Sequence, residues 1–127
     1  MSKKTISTDK APAAIGPYSQ AVATDTLLFT SGQLPIDPAT GKIPDVSIEE
    51  QAHIVFKNLT AIATEAGTTL DNAVKTTVFL ADINNFQAVN GVYAEYFKEP
   101  FPARSAFQVA ALPLGAAMEV EAIFQLK

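Results

Sequence analysis

The sequence predicts an α+β fold in which two helices pack on one face of a mixed β-sheet. Three observations lead to this prediction. Two segments carry apolar residues at helical spacing, five segments have the β-rich or alternating composition of strands, and the segments follow one another in the order β, β, α, β, α, β, β. The chain has 127 residues, with eight prolines spread along it and no repeat or linker, so we expect residues 1–127 to form one domain.

The first two strands are predicted before residue 35. Residues 21–23 can pair with the β-rich segment 26–34, which ends at Pro35. The following stretch, residues 35–44, contains the sequence DPATGK, which is typical of turns.

The strongest local signal predicts a helix over residues 47–66. Ser47 and Glu50 form a capping box, S-x-x-E, at its start, and Gly67 is a natural stop at its end. Between them, apolar residues recur at steps of three and four, as expected for one buried face. This stripe consists of Ala52, Val55, Phe56, Leu59, Ile62, Ala63 and Ala66.

A second helix is predicted over residues 85–98, because Pro100 and Pro102 prevent it from continuing. Its apolar side consists of Phe86, Val89, Tyr93, Tyr96 and Phe97. The remaining strands are predicted at residues 74–80, 104–109 and 118–126, the last of which alternates most clearly.

Alternation along the last two strands indicates which side chains share a face of the sheet. Glu119 and Glu121 lie opposite the bulky apolar face that the helices must cover. We expect Arg104 and Ala106 to project, together with Glu121, from the uncovered face. That face carries few charges, and charged residues make up 17% of the chain, below the ~25% of an average domain. Another copy of the chain is the simplest cover for it.

Composition excludes several classes of function. The chain has no cysteine, which rules out disulfides, thiolate metal sites and cysteine nucleophiles. A histidine-rich zinc site or a catalytic triad would depend on His53 alone, and we interpret His53 as a solvated helix residue. The net charge of -4 disfavours nucleic acid as a partner. No apolar run is long enough to span a membrane, and polar residues 1–10 do not resemble a signal peptide, so we expect a cytoplasmic protein.

Two charged residues are candidates for chemistry. Arg104, in FPARSAF, is either an ordinary surface arginine at a strand start or a bidentate clamp for a carboxylate. Glu121 lies within an otherwise apolar strand, where a carboxylate could hold a water molecule or shuttle a proton. For Glu119 we prefer a solvated strand edge.

Four further residues have a structural and a functional interpretation. Ser31 and Gly32 end a strand, where a glycine permits either a bulge or the close approach of another group. Tyr18 follows a Gly-Pro turn that could aim its ring toward a cleft. Asn90 lies near the apolar side of the second helix, as a boundary residue or as a polar group facing a partner.

Taken together, these segments resemble the Rid family, the YjgF-type reactive-intermediate deaminases. The resemblance covers nearly the whole chain in the right order, and its most specific parts are GPY (residues 16–18), TSGQ (30–33), PARS (102–105) and VEAI (120–123). Many relatives have a cysteine where this chain has Ala106, so a thiol role is impossible here.

The resemblance implies a homotrimer of chorismate-mutase-like subunits, whose sheets pack into a central barrel and whose clefts between subunits form the sites. It implies hydrolysis of enamine/imine intermediates released by pyridoxal-phosphate enzymes. The substrates would be 2-aminoacrylate and 2-aminocrotonate, and the products pyruvate or 2-oxobutanoate plus ammonia. No metal or organic cofactor is expected.

The resemblance also assigns roles to the candidates. Arg104 would clamp the substrate carboxylate, and Glu121 would hold the attacking water. The backbone of Ala106 would offer an N–H or C=O group to the substrate. The other substrate-binding residues would be Tyr18, Ser31, Gly32 and Asn90. Two alternatives remain open: a non-enzymatic binding protein for 2-oxo acids or other small carboxylates, and an RNA-cleaving translation inhibitor, which the acidic balance disfavours.

Overall fold

A computed structural model describes residues 3–126, which form six strands and two α-helices. The strands are β1 (Lys4–Ile6), β2 (Ala21–Ala23), β3 (Leu27–Thr30), β4 (Ala73–Leu80), β5 (Ala103–Gln108) and β6 (Met118–Gln125). The helices are α1 (Ile48–Glu65) and α2 (Phe86–Tyr96). Single 3₁₀ turns cover Leu70–Asn72, Ile83–Asn85 and Pro113–Gly115.

The strands form one mixed sheet in the order β1-β2-β3-β6-β4-β5. Neighbouring strands pair antiparallel, except for β4 and β5, which run parallel and are connected through α2. A parallel pair needs such a crossover connection, and the helix that provides it packs back onto the sheet. The predicted α+β class and the mixed sheet are confirmed.

Helix α1 begins as the capping box predicts. The Ser47 hydroxyl oxygen accepts a hydrogen bond from the Glu50 backbone N–H at 3.2 Å. The predicted stripe is buried except for Ala66, which is half-buried. Asn58 is buried as well, because its amide donates to the carbonyls of Leu34 and Ile36 and so fixes the loop that follows β3.

The core lies between the two helices and one face of the sheet. Alternation on β6 is as predicted, since Met118, Val120, Ala122 and Phe124 are buried and the residues between them are not. The largest fully buried side chains come from both layers, and each stabilises the fold by about 1.5–3 kcal/mol relative to exposure. They include Leu28, Phe56, Leu59, Ile62, Leu80, Phe97, Met118 and Phe124.

Strand β1 was not predicted, because it lies in a polar segment and Ile6 is its only apolar residue. Strand β3 ends at Thr30 rather than Leu34. The chain leaves the ladder there and returns only at Gln33, which makes an isolated bridge to Val120 of β6.

The expectation that Arg104 and Glu121 share the uncovered face is wrong. Arg104 pairs with Thr76, which faces the helices because it is fully buried and bonded to Tyr93 of α2. Glu121 pairs with Thr77, the next residue of β4, and therefore projects from the other face. Alternation shows which residues of one strand share a face of the sheet. Which residues of two neighbouring strands share a face depends on how the strands are aligned, that is, on their register.

The uncovered face is more apolar than an ordinary solvated one. Phe29 and Phe107 are 40% and 44% exposed on it, and Phe107 contacts Phe79 edge-to-face at 5.6 Å. Ile123 of β6 stands opposite Phe29 of β3 in the ladder and therefore lies on the same face. Ala106, which was expected here, lies on the helix side instead because it pairs with the buried Val78.

The interpretation of His53 as a solvated residue is also wrong. Its side chain is half-buried, and its Nδ1 lies 2.9 Å from the Tyr96 hydroxyl. His53 therefore joins α1 to α2. Within residues 3–126, no helix has the length and hydropathy needed to cross a bilayer.

Candidate active site

Arg104, the second residue of β5, is held by three side chains of α2. Its Nη1 donates to Asn90 Oδ1 at 2.7 Å. The guanidinium carbon lies 4.7 Å from the centre of the Tyr93 ring and 5.4 Å from that of Phe86. Asn90, interpreted from the sequence as a boundary residue or as a polar group facing a partner, thus fixes the direction of the arginine fork.

Arg104 carries its charge at the surface of the chain. Across residues 3–126 no carboxylate forms an ion pair with it, and its side chain is exposed. It borders a cleft of about 400 Å³, whose other lining residues are Asn90, Tyr93, Ala94, Phe101 and Pro102. A fixed guanidinium beside apolar walls is suited to bind the carboxylate of a small ligand through two parallel hydrogen bonds.

A second group of predicted site residues meets at the end of β3. The Ser31 hydroxyl donates to the carbonyl of Ser19 at 2.6 Å, and the Ser31 N–H donates to the carbonyl of Gln20 at 2.9 Å. These bonds join the GPY and TSGQ segments. The Ser31 hydroxyl therefore serves to position the backbone in this chain.

Sequence reasoning missed Gln20, which holds the segment that carries Tyr18. Its side chain is buried and accepts a hydrogen bond from the Thr8 N–H at 2.7 Å. The same amide group lies within donating distance of the carbonyls of Thr8, Ala11 and Pro12. A buried amide needs such partners, but a single glutamine beside a short strand gives no pattern from which they could be predicted.

Tyr18 and Gly32 line one small groove, together with Gln20 and Gln33. The Tyr18 ring is 54% exposed, and its hydroxyl oxygen lies 3.4 Å from the Ile15 N–H, which donates to it. Tyr18, Ser31 and Gly32 thus lie close together at the end of β3, and their role in substrate binding stays a prediction.

Glu119 lies beside this group, and the expectation of a solvated edge for it is wrong. Its side chain is half-buried, and its carboxylate packs against the Cα of Gly32, where a Cβ would collide with it. Burial raises the pKa of Glu119 above its ordinary value, and the neighbouring charge of Glu121 raises it further. A raised pKa makes this carboxylate a stronger proton acceptor than an ordinary glutamate.

Glu121 and Ala106 lie elsewhere. Glu121 is exposed and lines a groove of about 230 Å³ on the uncovered face, with Phe29, Lys75, Thr77 and Ile123 among its neighbours. Ala106 lines a groove of about 560 Å³ beside the start of α2, formed with Ile83, Asn84, Phe86 and Gln87. Within residues 3–126, the grooves lined by Arg104, by Glu121 and by Tyr18 have no lining residue in common, so these predicted site residues lie in separate grooves of one copy of the chain.

Comparison with known proteins decides the family. Residues 8–125 match the family described as Endoribonuclease L-PSP. The chain belongs to this family. It is the YjgF/Rid family that the GPY, TSGQ, PARS and VEAI segments resemble.

Members of the L-PSP family with similar sequences and structures include an enzyme with an assigned activity. The chain is 51% identical over 121 residues to the human 2-iminobutanoate/2-iminopropanoate deaminase, covering 95% of this chain and 88% of that protein. A putative endoribonuclease from Thermotoga maritima has a structure with a TM-score of 0.95 at 48% identity, covering 98% of both chains. The structure of E. coli TdcF with bound serine gives a TM-score of 0.91 at 41% identity, covering 96% of this chain and 98% of that one.

Proposed function

We propose that this L-PSP family chain hydrolyses 2-iminobutanoate and 2-iminopropanoate to the corresponding 2-oxo acids and ammonia. The observation that carries the proposal is the unpaired Arg104 guanidinium, fixed by Asn90 at the border of a small cleft. Such a group selects ligands by their carboxylate. The identity of more than half of the aligned residues to the human deaminase supports the same reaction class.

The reaction needs little more than positioning and one proton relay. The enamine 2-aminocrotonate or 2-aminoacrylate first tautomerises to the imine, whose carboxylate Arg104 holds. Water adds to the imine carbon while a carboxylate takes one of its protons, and the imine nitrogen gains a proton to give a carbinolamine. Collapse of the carbinolamine forms the C=O bond, and its hydroxyl proton accompanies the nitrogen as ammonia leaves. General-base catalysis of this kind contributes about 10²–10⁴-fold.

Two carboxylates of β6 are candidates for the base. The sequence interpretation favours Glu121, which is exposed. The surroundings of Glu119 favour that residue instead, because it is half-buried against Gly32 and its pKa is raised by burial and by Glu121. We assign the proton transfer to Glu119 and give Glu121 the secondary role of raising its pKa.

The site is completed between copies of the chain. Arg104 lies on the helix side of the sheet and Glu119 on the other, so both cannot face one substrate within a single copy. A homotrimer in which the uncovered faces pack together would bury Phe29, Phe107 and their neighbours. It would also carry the Tyr18 group of one copy toward the Arg104 cleft of the next. Closed symmetry satisfies each copy equally.

The substrates must be supplied by another reaction. Enamines of this type arise when hydroxyl groups are eliminated from serine or threonine, which is the chemistry of pyridoxal-phosphate-dependent dehydratases. The proposed enzyme therefore works downstream of such a dehydratase, in the same compartment, which we take to be the cytoplasm.

One rival function has an observation in its favour. The E. coli relative is described with bound serine, a small carboxylate, so a non-enzymatic binding protein would use the same cleft. Binding needs Arg104 alone, whereas hydrolysis also needs the carboxylate of β6. The two functions are therefore distinguished by turnover.

The test is a coupled assay in which the protein is added to a threonine dehydratase and 2-oxobutanoate formation is followed at early times. We expect a faster early rise than in the dehydratase alone, in proportion to the added protein. A rise identical to the spontaneous one, with 2-oxobutanoate still bound in a calorimetric titration, would establish the binding protein. Cleavage of an added RNA without any effect on the imine would establish the endoribonuclease that the family description names.

A further inference from the structure

We propose that Tyr93 is a positioning residue for Arg104, and that Thr76 in turn fixes the Tyr93 ring. The proposal rests on the proposed function, since it concerns how the carboxylate clamp is held in its working direction. Tyr93 is buried at the border of the Arg104 cleft, and its ring contacts the guanidinium of Arg104.

The Tyr93 ring also packs against two other aromatic rings. It stacks on Phe97, with ring centres 4.3 Å apart and an angle of 26° between the ring planes. It also makes an edge-to-face contact with Phe56, with ring centres 5.7 Å apart. Only 6% of Tyr93 is exposed. A ring packed in this way offers Arg104 a surface that is itself fixed by core contacts.

The Tyr93 hydroxyl adds a second constraint. It lies 2.8 Å from the hydroxyl of Thr76, which is fully buried on β4. Thr76 is also the residue of β4 that stands opposite Arg104 in the parallel ladder. Thr76 and Arg104, which stand opposite each other on β4 and β5, therefore both contact the Tyr93 side chain. Thr76 bonds to its hydroxyl group, and Arg104 lies over the face of its ring.

The contact leaves the charge of Arg104 available. Burial raises the pKa of the Tyr93 hydroxyl, and the opposing effects of Thr76 and Arg104 are smaller, so the phenol stays neutral. A neutral ring attracts the guanidinium through its π face without neutralising it. A carboxylate in the same place would pair with Arg104 and compete with the substrate. Asn90 and Phe86 are likewise neutral, so the three α2 side chains that hold Arg104 leave it cationic.

The chain supplies a matched control in Tyr96. Tyr96 is also on α2, packs on the same Phe56 ring at 5.2 Å, and bonds through its hydroxyl to a side chain of another element, His53. Within residues 3–126, the aromatic rings that lie under the Arg104 guanidinium are those of Phe86 and Tyr93, and Tyr96 is not one of them. Loss of Tyr96 therefore disturbs the packing of α2 without removing the surface under the clamp.

The experiment compares Tyr93→Leu, Tyr93→Phe, Thr76→Val and Tyr96→Leu in the coupled assay and in titrations with 2-oxobutanoate. We expect Tyr93→Leu to raise KM and the Kd of 2-oxobutanoate about 3- to 30-fold, the range of a cation–π contact, with kcat within about threefold of the parent. Tyr93→Phe keeps the ring and should restore most of the affinity. Thr76→Val removes only the hydrogen bond to the Tyr93 hydroxyl and should raise KM and Kd about 2- to 3-fold.

A purely structural role gives a different pattern. Partial unfolding lowers kcat and the number of binding sites in the titration but leaves KM unchanged, and it affects Tyr96→Leu as much as Tyr93→Leu. Either that pattern or an unchanged KM in Tyr93→Leu would overturn the proposal. If Tyr93→Leu does not fold, Tyr93→Met fills a similar volume without a ring and carries the same expectation.

Failure of the positioning role is distinguishable from failure of the proposed function. If the unmodified protein binds and hydrolyses its substrate while Tyr93→Leu does both normally, only the role of Tyr93 is withdrawn. If the unmodified protein neither binds 2-oxobutanoate nor accelerates its formation, the proposed function is withdrawn, and this inference with it.

Discussion

The Glu119 carboxylate lies against the Cα of Gly32, so that residue 32 has room for this neighbour only because it lacks a Cβ. Gly32 does not need a left-handed backbone, since its φ lies outside the positive range. Its role is to permit close approach of another group, one of the two interpretations that the TSGQ segment allows. The group that approaches is an acidic side chain of β6 with a raised pKa.

Gly32→Ala should therefore reduce activity with little effect on stability. The added methyl group displaces the end of a flexible glutamate side chain, which costs little, but it moves the proposed base. We expect the imine hydrolysis rate to fall at least ~10-fold, since ~1 Å of misplacement costs up to about 10²-fold. Gly91→Ala is the control, because a Cβ at Gly91 meets open space on α2. A Gly32→Ala variant as active as Gly91→Ala would remove Glu119 from the mechanism.

The two carboxylates of β6 can be separated by paired substitutions. If Glu119 is the base, Glu119→Gln should lower turnover ~10²-fold or more and leave the Kd of 2-oxobutanoate nearly unchanged. Glu121→Gln should lower turnover only a few-fold, because this substitution removes a charge that raises the pKa of Glu119. The coupled assay and calorimetric titration measure both quantities. The reverse ranking would return the role of base to Glu121, and loss of binding in either variant would show that the residue shapes the pocket.

The raised pKa of Glu119 also predicts how stability depends on pH. A carboxyl group whose pKa is higher in the folded chain than in the unfolded chain destabilises the fold as pH rises from the unfolded value through the folded one. Below both values the group is protonated in either state and contributes nothing. Glu119→Gln should therefore match the Tm of the parent at acidic pH and exceed it at pH 8. A gain that is equal at both pH values would contradict the raised pKa.

Assembly is tested independently of chemistry. The uncovered face exposes Phe29 and Phe107, and we expect the protein to sediment as a trimer of about three times 13.5 kDa. Phe107→Lys should shift the equilibrium to smaller species, while a substitution at the exposed Leu114, outside this face, should not. If the parent is a monomer at micromolar concentration, the trimer and the shared cleft are both wrong.

Much of the fold could be predicted because its elements carry local signals. The α1 capping box, the apolar stripe behind it and the alternation of β6 each depend on residues close in sequence. The parallel register of β4 and β5 has no such signal, since it depends on contacts made across the α2 crossover. For that reason Arg104 was placed on the wrong face although its strand was predicted within one residue.

The candidate site divides in the same way. Tyr18, Ser31, Gly32, Asn90 and Arg104 could be named from their motifs, and the structure gives each a defined surrounding. Glu119 could not be preferred over Glu121, because the two share a strand face and only tertiary contact with Gly32 separates them. Tyr93 was predicted as a core residue, and its contact with Arg104 follows from the register that the sequence does not show.

Replacement of Arg104 tests the central claim most directly. Among residues 3–126 no other arginine or lysine lines its cleft, so Arg104→Ala leaves no cation from this part of the chain to hold a carboxylate. We expect Arg104→Ala to keep its fold and assembly state, to lose measurable binding of 2-oxobutanoate, and to lose ~10²-fold or more of the imine hydrolysis rate in the coupled assay. Arg104→Lys should fail nearly as badly, because a point charge cannot form the two parallel hydrogen bonds of the guanidinium. A folded Arg104→Ala variant that still accelerates 2-oxobutanoate formation at a near-normal rate would contradict the account.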